Sequence, residues 1–199
     1  MPLPKEDKVY TYGDLLMWPE EERIELINGQ PFMMTPPSRI HQEISRELLT
    51  AFSVYLKDKS CRVYSAPFGV RFPSGNEKSD KEIKTIVEPD IVVVCDESKL
   101  DDEGCKGAPD LIVEIVSPST ARKDKVEKFN LYEKAGVKEY WIVEPEQKVV
   151  MVFILEDGRY RIVKTYSEDD SIKVSIFDDL TINLKDIFKS VKRPMVNSS

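Results

Sequence analysis

The segment Asp110-Leu111-Ile112-Val113-Glu114-Ile115-Val116 constrains the chain more than any other. An apolar, β-branched run of this kind, free of glycine and proline, reads as a strand buried on both faces, which places it in the middle of a sheet. Side-chain alternation puts Ile112, Glu114 and Val116 on one face and Leu111, Val113 and Ile115 on the other. A carboxylate is thereby fixed inside an apolar strand. Ionised and unpaired, it would carry a large desolvation cost, so Glu114 must meet a cation, a set of donors or a metal ion. A structural salt bridge meets that demand as well as a functional site does.

The neighbouring sequence extends the pattern. Residues 86–95 read as a second central strand, with Asp90 after Pro89 at the mouth of Ile91-Val92-Val93-Val94. An aspartate before a strand is commonly a turn residue. Beside Glu114 it also offers a second hard oxygen ligand from a rigid element, as magnesium prefers. Ser119 or Thr120 opens a helix that Gly136 closes, and residues 139–143 return as a strand. This strand–helix–strand unit predicts a mixed α/β sheet flanked by helices.

At about 100° per residue, Ala121, Phe129, Leu131, Tyr132 and Ala135 gather on one side of that helix. Lys128 falls in the middle of this apolar side, with Asp124 and Lys125 beside it, while Val126 falls among the polar positions. A lysine so placed either snorkels from the rim or points at an anion, and Glu114 is the nearest candidate. Asp124, four residues before Lys128, is spaced to pair with it. Two carboxylates for a divalent cation, with a lysine to activate water or stabilise a pentavalent phosphorane, form the inventory for phosphodiester hydrolysis. The same inventory serves a buried ion-pair network.

Elsewhere, residues 12–18 and 20–23 read as short helical or turn segments. Asn28-Gly29 between apolar runs predicts one hairpin, and Glu156-Asp157-Gly158 predicts a second between residues 149–155 and 160–163. Ser38 caps a helix running to about residue 58, with Ile44, Leu48, Leu49, Phe52 and Leu56 at helical spacing. Residues 62–72 read as extended, 73–84 as a polar loop, and 180–188 as a closing segment that packs on the second hairpin. The expectation is one domain over residues 1–192 and a frayed tail over 193–199.

Glu25 alternates with Ile24 and Leu26, so it either extends the carboxylate set or lies on an exposed strand face. His41, the single histidine, sits in the first turn of its helix as a cap or surface residue, or as a contact to phosphate or site water. Arg122, Lys123, Lys125, Lys128, Lys134 and Lys138 outnumber Asp124, Glu127 and Glu133, a modest basic face for DNA. The whole chain carries 29 lysines and arginines against 36 acids, a net charge of -7, which argues against non-specific coating of nucleic acid. Cys61, Cys95 and Cys105 show no C-x-x-C spacing, so neither a zinc site nor a disulfide framework is expected. Those cysteines, with no signal-peptide core and no membrane-length apolar run, point to the cytoplasm and away from a membrane.

Glu88-Pro89-Asp90-Ile91-Val92-Val93-Val94 and Gly107-Ala108-Pro109-Asp110 through Ser119-Thr120 resemble the Uma-type endonuclease family, formerly a domain of unknown function. Lys128, Tyr132, Ala135-Gly136-Val137, Glu139-Tyr140-Trp141 and Glu144-Pro145 continue the match. Glu25-Leu26-Ile27-Asn28-Gly29 and His41-Gln42 look like its amino-terminal motifs. The family belongs to the PD-(D/E)XK nuclease superfamily. The resemblance implies a restriction-endonuclease-like core and Mg2+-dependent cleavage of DNA, with Mn2+ as a substitute. It implies Asp90 and Glu114 as metal-holding catalytic acids. Val116 stands where the superfamily's lysine would be, so the implied catalytic lysine is Lys128, displaced to the following helix, with Lys125 as the competing choice. By analogy with restriction-type enzymes, a homodimer is expected.

Overall fold

A computed structural model describes residues 8–19, 22–118 and 120–191. In chain order, α1 (Tyr12–Leu15) precedes a hairpin of β1 (Ile24–Ile27) and β2 (Gln30–Met33), then α2 (Arg39–Leu56), β3 (Arg62–Ser65) and β4 (Val70–Arg71). There follow β5 (Ile86–Val87), β6 (Ile91–Val94), β7 (Leu100–Asp101), β8 (Gly104–Lys106) and β9 (Leu111–Ile115). A π-helical stretch (Lys123–Lys128) runs directly into α3 (Phe129–Ala135) and β10 (Glu139–Glu144). The chain continues through β11 (Val149–Glu156), β12 (Arg159–Ser167), β13 (Ser171–Lys173), β14 (Thr181–Asn183) and α4 (Leu184–Ile187).

The main sheet has the order β12-β11-β10-β9-β6-β3, with β9 and β10 parallel and the other pairs antiparallel. Parallel pairing is what a helical crossover between consecutive strands produces. Leu111, Val113 and Ile115 face α2 and the C-terminal elements, in one core with Ile44, Leu48, Phe52, Trp141, Val150 and Ile182. Ile112 and Val116 face the opposite side, with Tyr132, Tyr140, Ile142 and the second sheet's Val70 and Val87. The alternation expected for this strand holds, and each fully buried aliphatic side chain contributes about 1.5–3 kcal/mol. The mixed sheet flanked by helices is the architecture expected from the sequence.

Both hairpins form. Asn28 and Gly29 have φ of 52° and 77°, and Asp157 and Gly158 have φ of 50° and 75°, as two-residue type I′ turns require. Ser38 caps α2, its hydroxyl accepting the His41 N–H.

Some expectations are corrected. Residues 86–95 are two strands in two sheets: Pro89 has no N–H for a ladder, so β5 joins the order β2-β1-β5-β4-β8-β7 and β6 joins the main sheet. The closing segment shares a core with Val150 and Val152 of the second hairpin, as expected, and that core extends to Ile44, Leu48 and Phe52 of α2. Cys61 and Cys95 form a disulfide. The β3–β6 register sets Arg62 against Val94, so the residues just outside each strand end come face to face. The tail at 193–199, Ser119, Glu20 and Glu21 lie outside the described residues. Among the described residues no helix is long and apolar enough to cross a membrane.

Candidate active site

Glu114 is buried on the helix-facing side of β9, and its Oε1 accepts Lys128 Nζ at 2.8 Å and the Tyr132 hydroxyl at 2.7 Å. Asp124, Lys128 and Tyr132 form one buried stripe at every fourth residue, while Val126 is exposed. The helical wheel therefore aims Lys128 inward, as expected. Lys125 departs from that wheel: it lies on the outer side and pairs with Glu144 Oε1 at 2.6 Å.

Lys128 is only 2% exposed and meets three acids. Its Nζ lies 2.7 Å from Glu25 Oε1, 2.8 Å from Glu114 Oε1 and 3.9 Å from Asp124 Oδ1. Asp124, spaced to pair with Lys128, does so as the most distant of the three. Its backbone carbonyl accepts the Tyr140 hydroxyl at 3.0 Å.

Glu25 is fully buried, because the helix covers the face of β1 that alternation left open. Its Oε1 also accepts the Glu88 N–H at 3.0 Å, and its Oε2 accepts Lys123 Nζ at 2.6 Å. Asp90 Oδ2 accepts the Ile115 N–H at 2.7 Å, tying it to the residue after Glu114. His41 is half-buried, and its Nε2 lies 3.1 Å from the same Asp90 oxygen. The histidine therefore braces an acid of the site.

Burial pushes the Glu114 carboxyl up to about 8, against the pull of Lys128. Burial also raises Asp124. Burial opposes the charge on Lys128, but Glu114 and Glu25 outweigh it and hold the ammonium protonated. Burial likewise opposes ionisation of Glu25, yet Lys128 and Lys123 together keep its carboxyl below the usual range.

These groups open into a cavity of about 760 Å³ between the start of α2 and the helix at residues 121–128, lined by His41, Asp90, Glu114, Asp124, Lys125 and Lys128 among others. Five cations line it against six acids, and each cation is paired: Arg23 with Glu88, Arg46 with Glu47, Lys123 with Glu25, Lys125 with Glu144, and Lys128 with Glu114. Of the basic face expected along the helix, Lys123, Lys125 and Lys128 are thus committed to acids, while Lys134 is exposed. Arg122 and Lys138 also contact acids, Glu127 and Asp110.

The hydrogen bonds that Glu114 and Asp90 accept among the described residues go to Glu114 Oε1 and Asp90 Oδ2, not to Glu114 Oε2 or Asp90 Oδ1. No group of three or more His, Cys, Asp or Glu side chains there is arranged to hold a metal ion. Magnesium usually takes one or two carboxylates and completes its shell with water and phosphate, so an acid pair of this kind fits that ion.

The chain shares its fold with the crystal structure of "a putative nuclease belonging to DUF820" from Anabaena variabilis ATCC 29413, with a TM-score of 0.70 over 90% of this chain and 97% of that one, at 21% identity. It is also similar to the uncharacterized protein slr1290 of Synechocystis sp. (strain PCC 6803), 24% identical over 164 residues, covering 81% of this chain and 82% of that protein. The model of the Uma2 family, described as "Putative restriction endonuclease", matches residues 12–185, a span that runs from α1 into α4 and includes every site residue above, so the chain belongs to the Uma2 family.

Proposed function

We propose that this protein is a divalent-metal-dependent endodeoxyribonuclease in which Asp90 and Glu114 hold Mg2+, or Mn2+ in its place, and Lys128 assists hydrolysis of the phosphodiester bond. The observation that carries this reading is the convergence of Lys128, Glu114 and Asp90 on one cavity, with an uncommitted oxygen on each acid. Every cation of the lining is already paired with an acid. A polyanion entering such a cavity needs added positive charge, and a cation held by Asp90 and Glu114 supplies it.

When bound, the cation polarises the scissile phosphate and lowers the pKa of water. Lys128 stays protonated under the pull of Glu114 and Glu25, so its role is to stabilise the charge that develops on the phosphoryl oxygens, not to take a proton from water. Tyr132 fixes Glu114 through its hydroxyl, and His41 with the Ile115 N–H fixes Asp90, so one oxygen of each acid is held by protein partners. A homodimer belongs to this reading, since two sites cut two strands, and its mass in solution tests it.

The test presents single-stranded, duplex and junction DNA and RNA to purified protein with Mg2+, Mn2+ or chelator. Cation-dependent cleavage of DNA is expected. The reading fails if neither cation raises the melting temperature and no substrate is cut. That result would favour a non-catalytic nucleic-acid- or protein-binding member of the fold, for which the internal pairing of every lining cation is the supporting observation.

A further inference from the structure

Glu25 comes from the second sheet and Glu114 from the main sheet, yet both meet the same lysine. It is a poor candidate for a metal ligand, since both its oxygens are committed: Oε1 to Lys128 at 2.7 Å and the Glu88 N–H at 3.0 Å, Oε2 to Lys123 at 2.6 Å. The two lysines are the first and last residues of the π-helical stretch. On an α-helix at about 100° per residue, side chains five apart point roughly 140° away from each other. Hydrogen bonding across five residues widens the turn and brings such a pair back toward one line. One buried carboxylate can then take both ammonium groups. Local π-turns of this kind are frequent at functional sites.

We propose that Glu25 is a positioning residue: it carries the charge of Lys128 from the second sheet and so leaves Glu114 Oε2 for a divalent cation. This rests on the reading that Asp90 and Glu114 hold that cation and that Lys128 serves the reaction. Without Glu25, the only carboxylate among the described residues within 3 Å of the Lys128 ammonium is Glu114, because Asp124 is 3.9 Å away. The lysine and the cation would then compete for one acid. With Glu25 in place, the ammonium is shared between two carboxylates and anchored at the edge of the cavity.

The experiment is a mutant cycle on the full chain, read by calorimetric titration of Mn2+ into metal-free protein and by kcat and KM at saturating Mn2+. Glu25→Gln is expected to lower Mn2+ affinity by roughly 10- to 100-fold, the usual range for a residue that orients a metal ligand from behind. Its kcat falls on the same scale while KM stays within about threefold. Glu25→Asp, which keeps the charge on a shorter arm, recovers most of the lost affinity. In a Lys128→Met background, Glu25→Gln changes Mn2+ affinity by less than about twofold, because no ammonium remains for it to hold.

If Glu25→Gln alone gives no cooperative unfolding, the comparison of Lys128→Met with the double variant, which removes both charges, carries the test. Equal Mn2+ affinity and kcat in Glu25→Gln and wild type would overturn the proposal. So would an undiminished loss in the Lys128→Met background, which would make Glu25 act on the cation directly. If wild type itself neither binds Mn2+ nor cuts DNA, the nuclease reading falls first, and Glu25 falls with it. Wild type that does both beside an indifferent Glu25→Gln refutes Glu25 alone.

Discussion

Two glutamates sit buried on the neighbouring parallel strands β9 and β10, and they have opposite fates. Glu139 lies on the α2 side of the sheet, where its Oε1 accepts the Trp141 indole N–H at 2.7 Å and its Oε2 accepts the N–H groups of Ser175 and Ile176 at 2.8 and 3.0 Å. Neutral donors occupy both oxygens, and it does not line the large cavity. Glu114 lies on the other side, where one oxygen takes a lysine and a tyrosine and the other accepts no hydrogen bond among the described residues. Burial alone therefore does not identify a functional acid. What separates the two is whether the partners satisfy the group completely: Glu139 staples β10 to the chain after β13, whereas Glu114 belongs to a cluster with more acids than cations.

The largest effect that could break this comparison is on cleavage. Glu114→Gln should lower metal-dependent turnover by on the order of 10³-fold, the scale of losing a group that stabilises developing charge, while the metal-free protein melts no lower than wild type. Glu139→Gln should leave turnover per folded molecule unchanged and cost about 1–3 kcal/mol, because an amide nitrogen would face the N–H donors now bonded to an oxygen. Steady-state kinetics and urea unfolding on the two variants decide the matter. A loss of turnover in Glu139→Gln with normal stability would erase the distinction.

Lys128→Met comes next. Removing one partner of a buried ion pair leaves uncompensated charge and costs about 3–5 kcal/mol. Here Glu25 and Glu114 would both be left without the lysine. Added Mg2+ should recover part of that loss through Glu114. A variant as stable as wild type without metal would mean that the cluster tolerates an empty centre.

The difference between the two acids also explains what was legible in the sequence. Glu114 stood out because a carboxylate amid Ile112, Val113, Ile115 and Val116 contradicts its surroundings, and Lys128 because a lysine fell on the apolar side of a helical wheel. Glu139 begins its strand, a position where acids are ordinary, so nothing marked it as buried. Glu25 lies in a four-residue strand, too short for alternation to reveal that both faces are covered. The π-helical stretch escaped because a wheel assumes 100° per residue, and Lys125 was misplaced for the same reason. The strands of the second sheet, several only two or three residues long, and the Cys61–Cys95 bridge across 34 residues depend on tertiary pairing that no local pattern encodes.

Stability against pH sharpens the comparison further. Burial raises both carboxyls above the ordinary 4.5, Glu114 to about 8. An acid whose folded pKa is raised holds its proton better in the folded state, so its contribution is complete below 4.5 and is lost as pH rises toward the folded value. Metal-free protein should therefore lose stability between about pH 4.5 and 8, the upper part of the fall belonging to Glu114. Saturating Mg2+ should flatten the part due to Glu114 and leave the part due to Glu139. Urea midpoints at several pH values, with chelator and with magnesium, measure this, and a profile that magnesium does not change would remove Glu114 from the metal site.

The smallest effect concerns the lysine on the wrong side of the wheel. Lys125 is 39% exposed and pairs with Glu144 at the cavity mouth, and exposed pairs of this kind contribute about 0–1 kcal/mol. Lys125→Ala should thus shift the urea midpoint very little. Its turnover should stay within a few-fold of wild type, with any change appearing in KM, since an amine at the mouth can meet a backbone phosphate without meeting the reacting atoms. Lys128 is the reverse case: buried, shared between Glu25 and Glu114, and closer to the acids than to solvent. If Lys125→Ala lowers kcat as Lys128→Met does, proximity to Glu114 is not what makes a lysine catalytic here, and the contrast between a satisfied and an unsatisfied buried acid loses its functional meaning.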